Sequence, residues 1–202
     1  MIPIVLASGS PRRRALLAAL GVPFEVQLSH ADEIFEGDSP SAIVETNACA
    51  KRDEVAAILP SPAAVIGADT LVFIDGHVLG KPADIEEAQA MLRRLSGRTH
   101  EVLTGLAVVN TETGALAQGS ETTRVTFREL SETEIVCFTE AVRPVDRAGA
   151  YTVDGPGSLL VAGYQGCYQN VLGFPIVRLD LLLRQVGINL FDRIDSENAV
   201  FL

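Results

Sequence analysis

The run Ala63 to Ile74, AAVIGADTLVFI, limits what this chain can fold into more than any other stretch. It is apolar and rich in β-branched residues, and so reads as a buried strand around which the remainder must be built. A polar pair, Asp69-Thr70, stands at its middle. A carboxylate inside Val-Ile-Gly-Ala-Asp-Thr-Leu-Val is costly to bury unless something binds it. Gly67 and Ala68 leave open space beside it. A structural aspartate satisfied by neighbouring donors is one reading; the setting favours the other, a metal ligand or general base. Asp75-Gly76 then ends the run with a hairpin signal.

The elements on either side follow from periodicity and caps. Ile2 to Leu6 reads as a strand and Arg13 to Leu20 as a helix, with Ser10 as N-cap and Pro11 at the first helical position. Phe24 to Leu28 is strand-like. Pro40 to Leu59 is a helix capped by Ser39, and Asp84 to Leu95 is an amphipathic helix, acidic in its first turn and basic in its last. Two long strands, about 100–109 and 115–128, flank Glu112-Thr113-Gly114. A helix near 131–140, a Gly-rich region at 149–173 and an amphipathic helix at 175–186 complete the chain. Strands and helices mix without strict βαβ alternation, which predicts an α/β fold with a mixed sheet flanked by helices.

The turn Ala7-Ser-Gly-Ser-Pro-Arg-Arg13 joins the first strand to the first helix. It gathers free backbone N–H groups, a positive dipole end, two hydroxyls and two guanidiniums, a combination suited to a phosphate. An ordinary capped helix with solvated arginines is the plainer reading. Lys51 lies one helical turn after Asn47, on the same face. Lys81 stands in Val-Leu-Gly-Lys-Pro, a turn leaving the hairpin. The string Gly76 to Lys81 is not a Walker site: it has three residues between its glycines, and Pro82 replaces the hydroxyl residue. Lys81 can still reach a phosphate oxygen. Asp32-Glu33 is a second acidic pair, in a loop.

With 202 residues, 48% of them hydrophobic, the chain can bury a core as one domain over 1–202 or as two intimate lobes. A formal charge of −10 argues against a nucleic-acid duplex or an anionic membrane as partner, though not against a small polyphosphate. No apolar run reaches membrane-spanning length. Cys49, Cys137 and Cys167 form no CxxC pair and read as thiols of a reducing compartment, so the expected location is the cytoplasm. His30, His77 and His100 lack zinc-site spacing, and neither a G-x-S-x-G elbow nor a G-x-G-x-x-G turn is present.

Eight blocks occur in a telling order: ASGSPRR at 7–13, Asp32-Glu33, Asn47 to Lys51, GADT at 67–70, LGKP at 79–82, LSGRTHEV at 95–102, AGAY at 148–151 and YQNVLGFP at 168–175. Together they closely resemble the Maf family of nucleoside triphosphate pyrophosphatases, over nearly the whole chain. The resemblance implies a Maf/inosine-triphosphatase-like α/β fold, a long mixed sheet with flanking helices forming two lobes around a cleft, and often a homodimer. It implies cleavage of a nucleoside triphosphate between the α and β phosphates, with a divalent metal such as Mg or Mn. Carried over by motif, Ser8, Arg12, Arg13, Lys51 and Lys81 contact the triphosphate. Glu33 and Asp69 hold the metal and attacking water, with Asp69 as proton acceptor. A nucleotide-responsive regulator of cell division is a second role associated with the family.

The resemblance also bears on the base. The dTTP/UTP branch carries Arg, Thr and Gln at three specificity positions, matched here by Arg12 and Thr70 but by Asp154 in place of Gln. An acidic residue there resembles the 7-methyl-GTP branch. A glutamine amide both donates and accepts, which suits the O4 and N3–H edge of uracil or thymine. A carboxylate only accepts, and favours an edge with donors, such as that of guanine. Alternatively, Asp154 merely stabilises the Gly-rich turn. The expected substrates are dTTP and UTP, with 7-methyl-GTP or another purine triphosphate as the alternative.

Overall fold

The computed structural model describes residues 1–195 and 197–199. Its centre is a mixed sheet of seven strands: β1 (Ile4–Leu6), β2 (Glu25–Val26), β3 (Ala64–Ile74), β4 (His77–Leu79), β5 (Thr99–Asn110), β6 (Ala115–Phe127) and β7 (Val161–Gln165). The strand order is β2-β1-β3-β5-β6-β7, with β4 on β3. β1 runs parallel to β2 and β3, and the remaining pairs are antiparallel. The hairpin at Asp75-Gly76 has both residues at positive φ, 54° and 76°, the signature of a two-residue type I′ turn. Phe24 to Leu28 yields only the two-residue β2. β7 was hidden in the Gly-rich region, because Val-Ala-Gly-Tyr-Gln has one β-branched residue and a glycine at its centre. It forms because β6 offers it a free edge.

Among the described residues six α-helices flank the sheet: α1 (Pro11–Ala19), α2 (Pro40–Ile58), α3 (Ile85–Leu95), α4 (Glu132–Val142), α5 (Tyr168–Val171) and α6 (Ile176–Gln185). Side chains that accept from free N–H groups start four of them. Ser10, Ser39 and Asp84 cap α1, α2 and α3, and Ser131 with Glu134 forms a full capping box on α4. Among the described residues, no helix is long and apolar enough to cross a membrane.

The long strands pass through two main cores. The first halves of β3 and β1 pack with α1 and α6 through Leu6, Leu17, Ile66, Leu106 and Leu179. The other end of β3, with the end of β6, packs with α3 and α4 through Val72, Leu92, Val125, Phe127 and Ile135. Asp69 and Thr70 fall between these cores. On the β1 side of β3, strand pairing stops at Ile66 and resumes at Val72 with β4, so Gly67 to Leu71 have a strand neighbour only on the β5 side. The gap is the floor of a cleft.

Two glycines let α2 settle directly on the sheet. A Cβ at Gly67 would lie 2.1 Å from the Ala48 carbonyl oxygen, and one at Gly105 would lie 2.2 Å from that of Val44. Gly105 is the cross-strand partner of Asp69. Gly105→Ala is therefore expected to cost about 3 kcal/mol, because the clash is with helix backbone and not with a side chain that can rotate away. Urea denaturation monitored by circular dichroism measures it; a loss under about 0.5 kcal/mol would show that α2 can lift off freely.

The second core contains a titratable residue. His100 is buried, stacks edge-on against Phe127 and Tyr151, and shares a 2.6 Å hydrogen bond between Nε2 and the Tyr151 hydroxyl. Its Nδ1 has no partner among the described residues. Burial pushes its pKa down from 6.5 to about 4. The folded chain thus keeps His100 neutral where the unfolded chain protonates it. Its contribution is complete above pH 6.5 and is lost as pH falls toward 4, at about 1.4 kcal/mol per pH unit. Stability measured from pH 7 to pH 4.5 is expected to fall less steeply in His100→Gln than in wild type; parallel slopes would refute this.

Candidate active site

A cavity of about 730 Å³ opens over the cleft floor, and Asp69 forms part of its wall. Asp69 is 5% exposed. Its Oδ1 accepts from Lys51 Nζ at 2.8 Å, and its Oδ2 accepts from Asn47 Nδ2 at 2.9 Å. Asn47 and Lys51 are one turn apart on α2, and the glycine contacts of that helix bring both onto β3. Burial by itself would raise the Asp69 pKa. The charge and hydrogen bond of Lys51, the Asn47 hydrogen bond and the charge of Arg13 together outweigh it and hold the carboxyl below its usual range. It is an ionised carboxylate in the cavity wall.

The same lysine reaches Glu33 Oε1 at 2.6 Å. Glu33 lies in the loop before α2, which two side chains of that helix hold in place. Asn47 accepts from the Ile34 N–H at 2.8 Å and donates to the Ile34 carbonyl at 2.9 Å. Glu54 takes the Ser29 hydroxyl and the N–H groups of His30 and Ala31. Sequence reasoning placed Asn47 only as a neighbour of Lys51. The structure makes it the residue that ties the Glu33 loop to Asp69.

The turn before α1 contributes differently from its two arginines. Arg13 is buried and donates from Nε to the Gly173 carbonyl, from Nη1 to Ser8 Oγ and the Ala68 carbonyl, and from Nη2 to Thr70 Oγ1, all at 2.9–3.0 Å. Four of its five N–H groups are thus engaged within the protein. Its bond to Ala68 fills the edge that no strand covers. Ser8 Oγ accepts from Arg13 and from the Ser10 N–H, which leaves its own O–H free at the cavity wall. Thr104 donates to the Asn170 carbonyl, so the 3.0 Å contact between Thr70 and Thr104 uses the Thr70 proton. What remains at Thr70 is an acceptor. Arg12 and Lys81 also line the cavity, and neither makes a side-chain hydrogen bond or ion pair among the described residues. Asp154 is exposed and accepts from Thr152 Oγ1; Thr152, not Asp154, lines the cavity.

A family profile described as "Maf-like protein" matches residues 3–186. The chain belongs to the Maf family. Proteins named dTTP/UTP pyrophosphatase from Moorella thermoacetica, Pelotomaculum thermopropionicum and Bacillus cereus (strain G9842) are similar to it. They are 48%, 45% and 44% identical over 96%, 94% and 94% of this chain, and 100%, 99% and 98% of their own lengths. Among solved structures, a HAM1 protein from Coxiella burnetii aligns over 63% of this chain and 73% of its own, with a TM-score of 0.42 and 20% identity.

Maf membership raises the question of a divalent metal, and the donor set answers in part. Glu33 and Asp69 offer oxygens that converge on one point, now taken by Lys51 Nζ at 2.6 and 2.8 Å. Among the described residues no group of three His, Cys, Asp or Glu side chains comes together. A closed protein cage is therefore not built. A hard cation of the magnesium type, which takes one or two carboxylates and completes its shell with water and substrate phosphates, fits this Maf site.

Proposed function

We propose that this chain is a nucleoside triphosphate pyrophosphatase that hydrolyses dTTP and UTP to the monophosphate and pyrophosphate. The observation that carries the reading is the buried, ionised Asp69 in the wall of a cavity that also holds the free cations Arg12 and Lys81 and the α1 turn. The names of the similar proteins support the reaction class and the pyrimidine base. The position of Asp154 outside the cavity supports the pyrimidine further, because it removes the acceptor that would have favoured a purine edge. A cytoplasmic location and a homodimer accord with this reading.

Asp69 accepts the proton of the attacking water, whose oxygen bonds to the α-phosphorus as the bridging bond to the β-phosphate breaks. Lys51 keeps Asp69 ionised and, with two of its three N–H groups engaged, has one left for a phosphoryl oxygen. Ser8 donates its O–H, and Lys81 and Arg12 neutralise the phosphate chain. Arg13 fixes Ser8 and Thr70 and so sets the positions of groups that touch substrate. A divalent cation held by Glu33 and Asp69 would take the point that Lys51 Nζ now occupies, displacing the lysine toward the phosphate chain, and would supply charge neutralisation and a more acidic water.

The test is product analysis with dTTP, UTP, CTP, GTP and 7-methyl-GTP in magnesium or manganese. Pyrophosphate from dTTP and UTP is expected. Orthophosphate would indicate attack at the γ-phosphorus, preference for 7-methyl-GTP would restore Asp154 as a base-reading residue, and no turnover would remove the hydrolase reading.

A further inference from the structure

Arg147 has no role in the reaction so far, yet it lines the same cavity. Its Nε and Nη1 are buried without a hydrogen-bond partner among the described residues. The nearby carboxylate, Asp146 Oδ1, stands 3.5 Å from Nε, an ion-pair distance without hydrogen-bond geometry, on a side chain that is 70% exposed. Buried donors left unpaired are rare in folded proteins, and on a permanently charged group they point to a partner the chain itself does not supply.

The surroundings indicate what that partner is. The Gly149 N–H bonds to the Gly80 carbonyl at 3.0 Å, which sets the Arg147 segment against the turn that carries Lys81. Arg12 is a neighbour as well: burial lowers its pKa first, and the positive charge of Arg147 lowers it next. Two guanidiniums thus stand close in one part of the wall, offset in part by the charges of Asp146 and Asp154, and the turn that carries Lys81 is held beside the Arg147 segment. Lys51, by contrast, is neutralised by two carboxylates. Like charges held this closely repel one another until an anion arrives. The anion that fits is one with several charges on closely spaced oxygens.

We propose that Arg147 is a phosphate-binding residue, holding the β- and γ-phosphoryl oxygens and then the pyrophosphate product together with Arg12 and Lys81. The assignment rests on the pyrophosphatase activity proposed for the site. It gives Arg147 a guanidinium with two unpaired nitrogens among the described residues, whereas Arg13 already spends four of its five N–H groups on Ser8, Ala68, Thr70 and Gly173. The α-phosphorus then lies toward Asp69, where carboxylates would repel a more highly charged group.

Calorimetric titration with inorganic pyrophosphate in magnesium, on wild type, Arg147→Met and Arg147→Gln, tests this without turnover. Arg124→Met removes the same charge from an exposed position on β6 and serves as control. Affinity is expected to fall about ten- to a hundredfold in both Arg147 variants and to stay level in the control. In kinetics, KM for the triphosphate and the inhibition constant of pyrophosphate should rise together, while that of the monophosphate stays put. Should Arg147→Met not fold, Arg147→Gln, which stays polar and removes the charge, gives the same readout. Unchanged pyrophosphate affinity in a folded Arg147 variant, or none in wild type, overturns the proposal even if triphosphates are hydrolysed as expected. A wild type that binds pyrophosphate through Arg147 but releases none from any nucleotide upholds the site and removes the hydrolase reading.

Discussion

Asp69→Asn is expected to lower pyrophosphate release by about 10²- to 10⁴-fold, the range set by loss of a positioned general base. The substitution keeps the shape of the side chain and an oxygen for either Lys51 or Asn47, so the loss should fall on kcat more than on KM. An amide cannot accept from both donors, and one of its N–H groups must face a donor where the wild type had a lone pair. Some stability will be lost with it. Kinetics and melting curves on the same preparations separate the two effects. A folded variant that retains more than a tenth of wild-type kcat would show that another group takes the proton.

Lys51→Met should act first on folding. Lys51 and Asp69 side chains are 12% and 7% exposed, so the variant leaves a buried carboxylate without its cation. Removing one partner of a buried pair costs about 3–5 kcal/mol, far more than a surface bridge is worth. Burial then dominates at Asp69 and its pKa rises, which should move the acid limb of the pH–rate profile to higher pH. The double variant Lys51→Met, Asp69→Leu is expected to recover much of the stability, since no charge is left stranded. A single-variant cost below 1 kcal/mol would mean that water reaches the pair freely.

The sequence made some of this visible and hid the rest, for physical reasons. Strand β3 with its carboxylate, the capped starts of α1 and α2, the amphipathic α3 and the hairpin at Asp75-Gly76 could be read because local chemistry dictates them. Lys51 offered little by itself, because a mid-helix lysine is ordinarily solvated; the contacts at Gly67 and Gly105 that press α2 onto β3 are tertiary. Arg12 and Arg13 look alike in sequence and both line the cavity, yet Arg12 makes no side-chain hydrogen bond among the described residues and Arg13 is buried among four, a difference set by the helical rotation between adjacent residues. Asn47 could have been found from its spacing to Lys51. Arg147 could not, since its signal is a missing partner.

The cut in one side of β3 has a mechanical consequence. Strands β3 and β5 run unbroken between the two cores, so the halves of the molecule share a continuous beam and cannot swing as separate bodies. Any narrowing of the cleft must be absorbed as extra twist where the beam is thinnest, along Gly67 to Leu71. Those are the residues that carry Asp69. Gripping a phosphate chain between the walls would therefore strain the segment that aims the base, and the tightness of the grip would be transmitted to the carboxylate through the backbone itself.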